Sequence, residues 1–282
     1  MQCTETVMNA LSQDESASYF TAPVGGIECL SATFKRHRYQ PHAHDTFVVG
    51  TLWHGTGTIF IRGRNHAVRA GDLTLYNPFE VHDGAPANDG FSYRVSYPSA
   101  ALLREIASEN TSFDRTGTPT FREPIVHDPR GAALFFAAHR LWEEKCSPME
   151  AEEKLLAAYV YCLSVHAGVR FPLAGSERGP VARIVELLSE RFAERLTLDD
   201  LAAEARLSRQ RLIRAFHRRT GMSPHAFLIN RRVDAAKAML RSGLDPLSAA
   251  MATGFSDQAH LTRIFKARVG VPPGAYRAAF AA

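Results

Sequence analysis

Residues 196–221 read LTLDDLAAEARLSRQRLIRAFHRRTG, and residues 245–270 read DPLSAAMATGFSDQAHLTRIFKARVG. Both follow one plan: a short helix rich in Ala and Leu, a tight turn ending at a serine, then an amphipathic helix starting there. This is the helix-turn-helix pattern, and the 48-residue offset between Ser208 and Ser256 marks a duplication. In the first copy Thr197 is the expected N-cap, with Asp200 completing a capping-box-like pair. Leu198, Leu201 and Ala202 share one face of the first helix, and Leu212, Ile213 and Phe216 form the inward stripe of the second. Arg209, Gln210, Arg211, Arg214 and His217 are left pointing outward. In the second copy Ser256 is the expected cap and Leu261, Ile264 and Phe265 point inward. Asp257, Gln258, His260, Thr262, Arg263 and Lys266 remain outside.

Those outer side chains suit DNA. Arginine takes a guanine edge bidentately, glutamine pairs with adenine, and either holds phosphate. Gln210, Arg211, Arg214, Gln258 and Arg263 are the expected groove-facing residues, and Arg209, His217 and Lys266 the expected phosphate contacts. Gly254 supplies the left-handed turn of the second copy, whereas Arg206 stands at the matching place in the first, at a strain of roughly 1 kcal/mol. Between the copies, SPHAFLINRRVDAAKAMLRSG (223–243) reads as one long helix with Ser223 as cap, Pro224 at the first position and Gly243 at the end. Such a helix spans roughly 28 Å, near the ~34 Å between successive major grooves on one face of a duplex.

Leu201–Ala202, Ser208, Leu212, Arg214, Phe216, Gly221, Ser223–Pro224, Arg231, Ala235, Leu240, Gly254–Phe255, Arg263, Phe265–Lys266, Gly270 and the closing VPPGAYR at 271–277 occur in order. In this set the sequence resembles the AraC/XylS-type family of bacterial transcription regulators. The resemblance implies a sequence-specific regulator, and specifically an activator under control of a small-molecule effector. Double-stranded promoter DNA and RNA polymerase are the implied partners, and a homodimer is a further expectation. In that family an Arg at the positions of Arg214 and Arg263 either reads bases or lies along the backbone.

Composition agrees. A chain of 282 residues with 45% apolar and 22% charged residues is expected to form two globular domains. It has no long uncharged apolar run and no basic-then-apolar leader, so a cytoplasmic protein with no membrane role is expected. Cys3, Cys29, Cys146 and Cys162 form no CxxC pair, which argues against a disulfide framework or zinc ribbon. Residues 176–282 hold 18 Lys and Arg against 10 Asp and Glu, while residues 1–175 hold 15 against 19. Positive charge is thus gathered where the recognition helices lie, as phosphate binding requires.

Residues 1–18 are polar and read as a flexible tail. From 19 to 97, segments such as IECLSATF, DTFVVGTLWHG, TGTIFIRGRNHAV, DLTLYNP and GFSYRVSYP are rich in β-branched and aromatic residues and separated by turn formers. They predict a small barrel or jelly roll, with turns at Gly55, Gly57 and Gly71–Asp72. PHAHD (41–45) and GDLTLYNPFEVHDG (71–84) resemble the two cupin motifs found in the sensor domains of AraC-type regulators. By that resemblance His42, His44 and His82 fall where cupin enzymes hold metal, but the carboxylate expected four residues after His44 is Val48. The imidazoles are therefore expected to line a ligand pocket, with no metal, no cofactor and no catalytic residue. The alternative is a cupin metalloenzyme fused to a DNA-binding module. Inward-facing candidates for a ligand are His42, His44, Phe47, Trp53, Tyr76, His82 and Tyr93. Arg36 and Arg38 are candidate contacts for a ligand carboxylate.

Three further helices are expected within 98–109, 130–145 and 147–168, the last carrying, at Leu155, Leu156, Tyr159, Val160 and Leu163, more apolar surface than a small barrel needs. In relatives, helices here form a dimer interface. FPLAGSERGP (171–180) reads as a linker. The expectation is an α+β multidomain chain: a cupin-like β-barrel over 19–129, a helical dimerisation or connector segment over 130–170, and an all-α domain over 181–282 with two helix-turn-helix motifs joined by a long helix.

Overall fold

The strand-forming segments become eight strands: β1 (Ser16–Ala22), β2 (Ile27–Phe34), β3 (Tyr39–His42), β4 (Val48–Ile61), β5 (Arg64–Arg69), β6 (Asp72–Tyr76), β7 (His82–Tyr97) and β8 (Ile125–His127). The computed structural model describes residues 14–22, 26–108, 117–144, 147–170, 178–269 and 271–280. The strands pair in the order β1-β2-β7-β4-β6-β8, with β3 also on β7 and β5 also on β4, all antiparallel. Leu30, Leu52, Ile61, Val68, Tyr76, Phe91 and Val95 from five of these strands meet in one buried cluster, so the sheet curls around its own apolar face. The chain divides into two compact units, residues 1–173 and 174–282, and the cupin-like barrel occupies the first.

Two features of the barrel unit differ from the sequence reading. The first strand begins at Ser16, inside the stretch expected to be a tail; Ser16–Ala22 pairs residue by residue with Ile27–Thr33. Cys3, Cys146, residues 1–13 of that tail and residues 171–177 of the expected linker lie outside the described residues. Gly55 and Gly57 sit within β4, not in turns. At Gly55 (φ +77) a Cβ would collide with the Gly90 carbonyl oxygen of β7, and the register shifts on either side. These glycines let the two longest strands cross closely at a bulge.

Helices α1 (Ala100–Ala107), α2 (Pro129–Glu143) and α3 (Pro148–His166) complete the first unit. α2 is fixed to the sheet by a buried polar bridge. His139 is fully buried and donates from Nε2 to the Val95 carbonyl at 3.2 Å, so its Nδ1 accepts from Arg94 at 3.2 Å. Arg94 also pairs with Glu143 at 2.6 Å. Tyr159 of α3 donates to the Ser96 hydroxyl at 2.9 Å beneath the same strand. Cys29 and Cys162 are buried free thiols. Among the described residues no helix is long and apolar enough to cross a membrane.

The second unit is helical: α4 (Arg178–Glu190), α5 (Leu198–Ala205), α6 (Arg209–Thr220), α7 (Pro224–Arg241), α8 (Pro246–Ala252), α9 (Gln258–Val269) and α10 (Pro273–Ala278). Thr197 and Asp200 form the capping box, Ser208 caps α6 and Ser223 caps α7. Ser256 does not cap α9. Asp257 Oδ1 accepts from the His260 backbone N–H at 2.7 Å, and a carboxylate is the stronger acceptor at a helix N-terminus. One core lies around Leu198, Leu201, Leu212 and Phe216, and a second joins Ile229, Val233 and Leu240 of α7 to Phe255, Leu261 and Phe265.

The two helix-turn-helix units meet at residues 192–194. Arg232 donates from Nε to the Phe192 carbonyl at 2.7 Å and from its terminal nitrogen to the Glu194 carbonyl at 2.9 Å. Gly254 (φ +77) lies so close to Ala193 that a Cβ would overlap its carbonyl oxygen. Arg206 ends α5 in the left-handed region at φ +53.

Two predictions follow from these contacts. Burial, and then the charge of Arg94, hold the His139 imidazole down to about 3, against 6.5 in an unfolded chain. The unfolded state therefore binds the extra proton between these values, and stability falls as pH drops from 6.5 toward 3. His139 alone contributes a loss of about 2 kcal/mol between pH 7 and pH 5, to which the lowered His44 and His82 of the same unit add, so urea melts of the first unit should show at least that loss. His139→Asn, whose amide offers one donor and one acceptor, should reduce that loss; an unchanged loss would remove His139 as its source. In the second unit, Arg206→Gly should stabilise by about 1 kcal/mol by relieving left-handed strain, whereas Gly254→Ala should destabilise by at least about 2 kcal/mol. Equal and small effects in thermal melts would contradict the close approach at Ala193.

Candidate effector pocket and DNA interface

Period-two alternation along β4 and β7 decides which side chains enter the barrel. Val48 and Leu52 of β4, and Tyr93, Val95 and Tyr97 of β7, face a cavity of about 80 Å3. His42, His44, Tyr76 and His82 line it as well. Phe47 and Trp53 do not. Each is one residue from an inward position, and parity turns it away: Phe47 is buried against Phe121 at 5.8 Å, and Trp53 is 44% exposed beside Phe136. Arg36 and Arg38 are exposed and stand outside the lining, so no arginine reaches the cavity among the described residues.

Tyr39, Tyr97 and Asp83 are among the lining residues that the sequence reading did not name. Tyr39 shares a hydrogen bond of 2.6 Å with Tyr93 through their hydroxyls, and Tyr97 packs on His44 at 4.8 Å between ring centres. Tyr97 was findable, because it follows Tyr93 by four residues and so shares its face of β7. Asp83 also reaches the lining, while its Oδ1 accepts from the Phe60 N–H at 2.8 Å.

The three histidines converge although they come from different elements. His42 ends β3, His82 opens β7 directly opposite it, and His44 lies just beyond β3. Ring centres are 4.5 Å apart for His42 and His82, 5.0 Å for His42 and His44, and 5.4 Å for His44 and His82. His42 donates from Nδ1 to the Gln40 carbonyl at 2.8 Å, and His82 from Nδ1 to the Glu80 carbonyl at 2.9 Å. Burial and then the neighbouring His82 and His42 press the His44 imidazole down to about 4, and burial also lowers His82. Burial raises the Tyr39 phenol to about 12 and moves Tyr76, Tyr93 and Tyr97 upward too. At neutral pH these tyrosines are protonated and His44 and His82 are neutral.

On the helical unit, Arg211 and His217 of α6 are exposed, as are Gln258, Arg263 and Lys266 of α9. Ile213 and Ile264 are only half-buried. Arg209 is partly buried and ion-paired with Asp199 at 3.4 Å, and Arg214 is half-buried. The carboxylate of Asp257 is committed to the start of α9, and His260 Nδ1 lies 3.1 Å from the Ser256 hydroxyl. Gln210, expected outward, is 2% exposed, and its amide has no hydrogen-bond partner among the described residues. The helical period fixes the direction in which a side chain leaves the helix, on the side away from Leu212 and Phe216, but not what lies over it. Arg218, Arg219 and Arg268 are further exposed cations in the last turns of α6 and α9, which the sequence reading passed over.

Comparison with known proteins agrees with this division. Residues 24–159 match the AraC-like ligand binding domain, and residues 201–279 match a helix-turn-helix domain. The uncharacterized HTH-type transcriptional regulator YbfI of Bacillus subtilis is 28% identical over 88% of this chain and 90% of its own. The arabinose operon regulatory protein of Escherichia coli is 23% identical over 85% of this chain and 82% of its own. Among solved structures, the DNA-binding domain of AdpA in complex with a target DNA is 33% identical, covering 36% of this chain and 92% of that one, with a TM-score of 0.35. With a ligand-binding barrel and a paired helix-turn-helix domain, matched in the same order, the chain belongs to the AraC family of DNA-binding transcription regulators.

Proposed function

We propose that this regulator is an activator whose barrel binds a small-molecule effector and whose α6 and α9 read promoter DNA. The observation that carries the reading is the pairing of a walled aromatic cavity in one unit with exposed basic recognition helices in the other. The cavity of about 80 Å3 is roughly half the ~150 Å3 that accepts a benzene ring, so its occupant is a compact polar molecule or one that displaces a wall. Domain limits are read as a barrel to residue 129, a helical connector to 170 and a DNA-binding domain from 181. A cytoplasmic homodimer that recruits RNA polymerase completes the proposal, with no catalytic step of its own.

Effector control requires differential binding. The ligand must prefer one arrangement of the protein over another, or it shifts nothing. A thermal-shift screen with the full chain tests the effector role: a selective rise in melting temperature supports it, and a flat response across a broad metabolite panel counts against it.

For DNA, Arg211 and Arg263 are assigned to base edges and Lys266 to phosphate. Arg211→Ala and Arg263→Ala should each cost about 1–3 kcal/mol on the preferred site and relax base preference there. Lys266→Ala should weaken every sequence alike and reduce the salt slope by about 1. Gel shifts at several salt concentrations, with upstream DNA and random competitors, separate the two. Identical behaviour of the three variants would sink the assignment.

A further inference from the structure

Building on the effector reading, we infer that the barrel cavity takes a compact neutral alcohol, its hydroxyl among the histidines and its hydrocarbon end on the aliphatic wall. The lining has two parts. Leu52, Ile59, Val68, Phe91 and Val95 belong to the buried apolar cluster of the barrel. Val68 and Phe91 pair with Gly57 and Gly55 in the middle of β4, whereas Tyr76 and His82 pair with Val48 and Ile61 at its two ends. The rings of Tyr76 and His82 nonetheless meet at 4.6 Å between centres. The two ends of β4 thus come together at the imidazoles, and its middle carries the hydrocarbon end.

The polar end matches a hydroxyl. A main-chain carbonyl only accepts, so the Nδ1 atoms of His42 and His82, at 2.8 and 2.9 Å from the Gln40 and Glu80 oxygens, carry the protons, and each Nε2 is left as an acceptor. Tyr39 and Tyr93 share one hydrogen bond between two hydroxyls, which leaves one phenolic proton of the pair to give. A hydroxyl both donates and accepts, so it serves both kinds of group, whereas a carboxylate has no proton for an imidazole lone pair. No lysine or arginine lines the cavity among the described residues, and the Asp83 carboxylate in the lining opposes an anion. A sugar, polar on every side, would leave hydroxyls unpaired against Leu52 and Val68, where each costs free energy. Since ~150 Å3 accepts the benzene ring, a cavity of about 80 Å3 holds roughly three to five non-hydrogen atoms.

Saturation-transfer NMR on the full-length protein at neutral pH compares five probes of similar size: 1-butanol, 1,2-propanediol, propionate, n-butylammonium and glycerol. We expect transfer to 1-butanol and 1,2-propanediol, with the other three binding at least about tenfold more weakly, as an unpaired buried polar group dictates. Val68→Phe and Leu52→Phe, which fill the hydrocarbon end, should each abolish transfer to the alcohols. Far-UV circular dichroism checks that each variant is folded, and either folded variant suffices. No transfer to either alcohol, equal binding of glycerol, or tighter binding of propionate or n-butylammonium overturns the alcohol class. Transfer unchanged in a folded, filled variant overturns the cavity as its place. The effector reading has a separate outcome: a metabolite of another class that stabilises the full chain keeps that role while the alcohol falls.

Discussion

The grip of Arg232 on the Phe192 and Glu194 carbonyls holds the DNA-binding unit together. This guanidinium leaves α7, the helix shared by both helix-turn-helix units, and fastens the chain between α4 and α5. Gly254 meets the same short segment at Ala193. The first pair of helices and the second are thus set against one short segment, and the separation of α6 from α9 follows from it. α7 has 18 residues, so it rises about 27 Å, short of the ~34 Å groove repeat. Two recognition helices on such a strut need a fixed angle to reach successive grooves. A loose joint would forfeit, as ordering entropy, the advantage of binding with two helices at once.

The barrel uses main-chain carbonyls in a comparable way. Gln40 and Glu80 oxygens fix the edges of His42 and His82, and the Val95 oxygen fixes His139 beneath the same sheet. In each case a main-chain carbonyl decides which ring nitrogen carries the proton, from a strand for His42 and His139 and from the segment before β7 for His82. His139 answers to a structural need, tying α2 to β7 through Arg94. His42 and His82 instead line the cavity of the barrel.

Much of this was legible in the sequence, and the rest fails for identifiable reasons. The duplicated motif, the capping box at Thr197 and the left-handed Arg206 are local, set by residues within one or two turns of one another. Phe47 and Trp53 were misjudged because the parity of a strand is known only once one inward residue is fixed; Val48 and Leu52 fix it. Gly55 was read as a turn because glycine reports a backbone need without naming its partner, here Gly90 across the sheet. Gly254 was read correctly for its φ, but nothing local reveals Ala193. Gln210 obeyed the helical period and still failed, since the period says nothing of what covers a face. The histidine triad was visible as a motif, while the convergence of its rings depends on the pairing of β3 with β7.

Val48 stands where the cupin pattern places a carboxylate, so the pocket lacks that charge. The walls offer protonated phenols, neutral His44 and His82 and the Asp83 carboxylate, which already accepts from the Phe60 N–H. No arginine lies in the lining among the described residues, so an anionic group entering this poorly solvated space would stay uncompensated, which is costly. A neutral ligand whose polar edges meet the imidazoles and phenols carries no such cost.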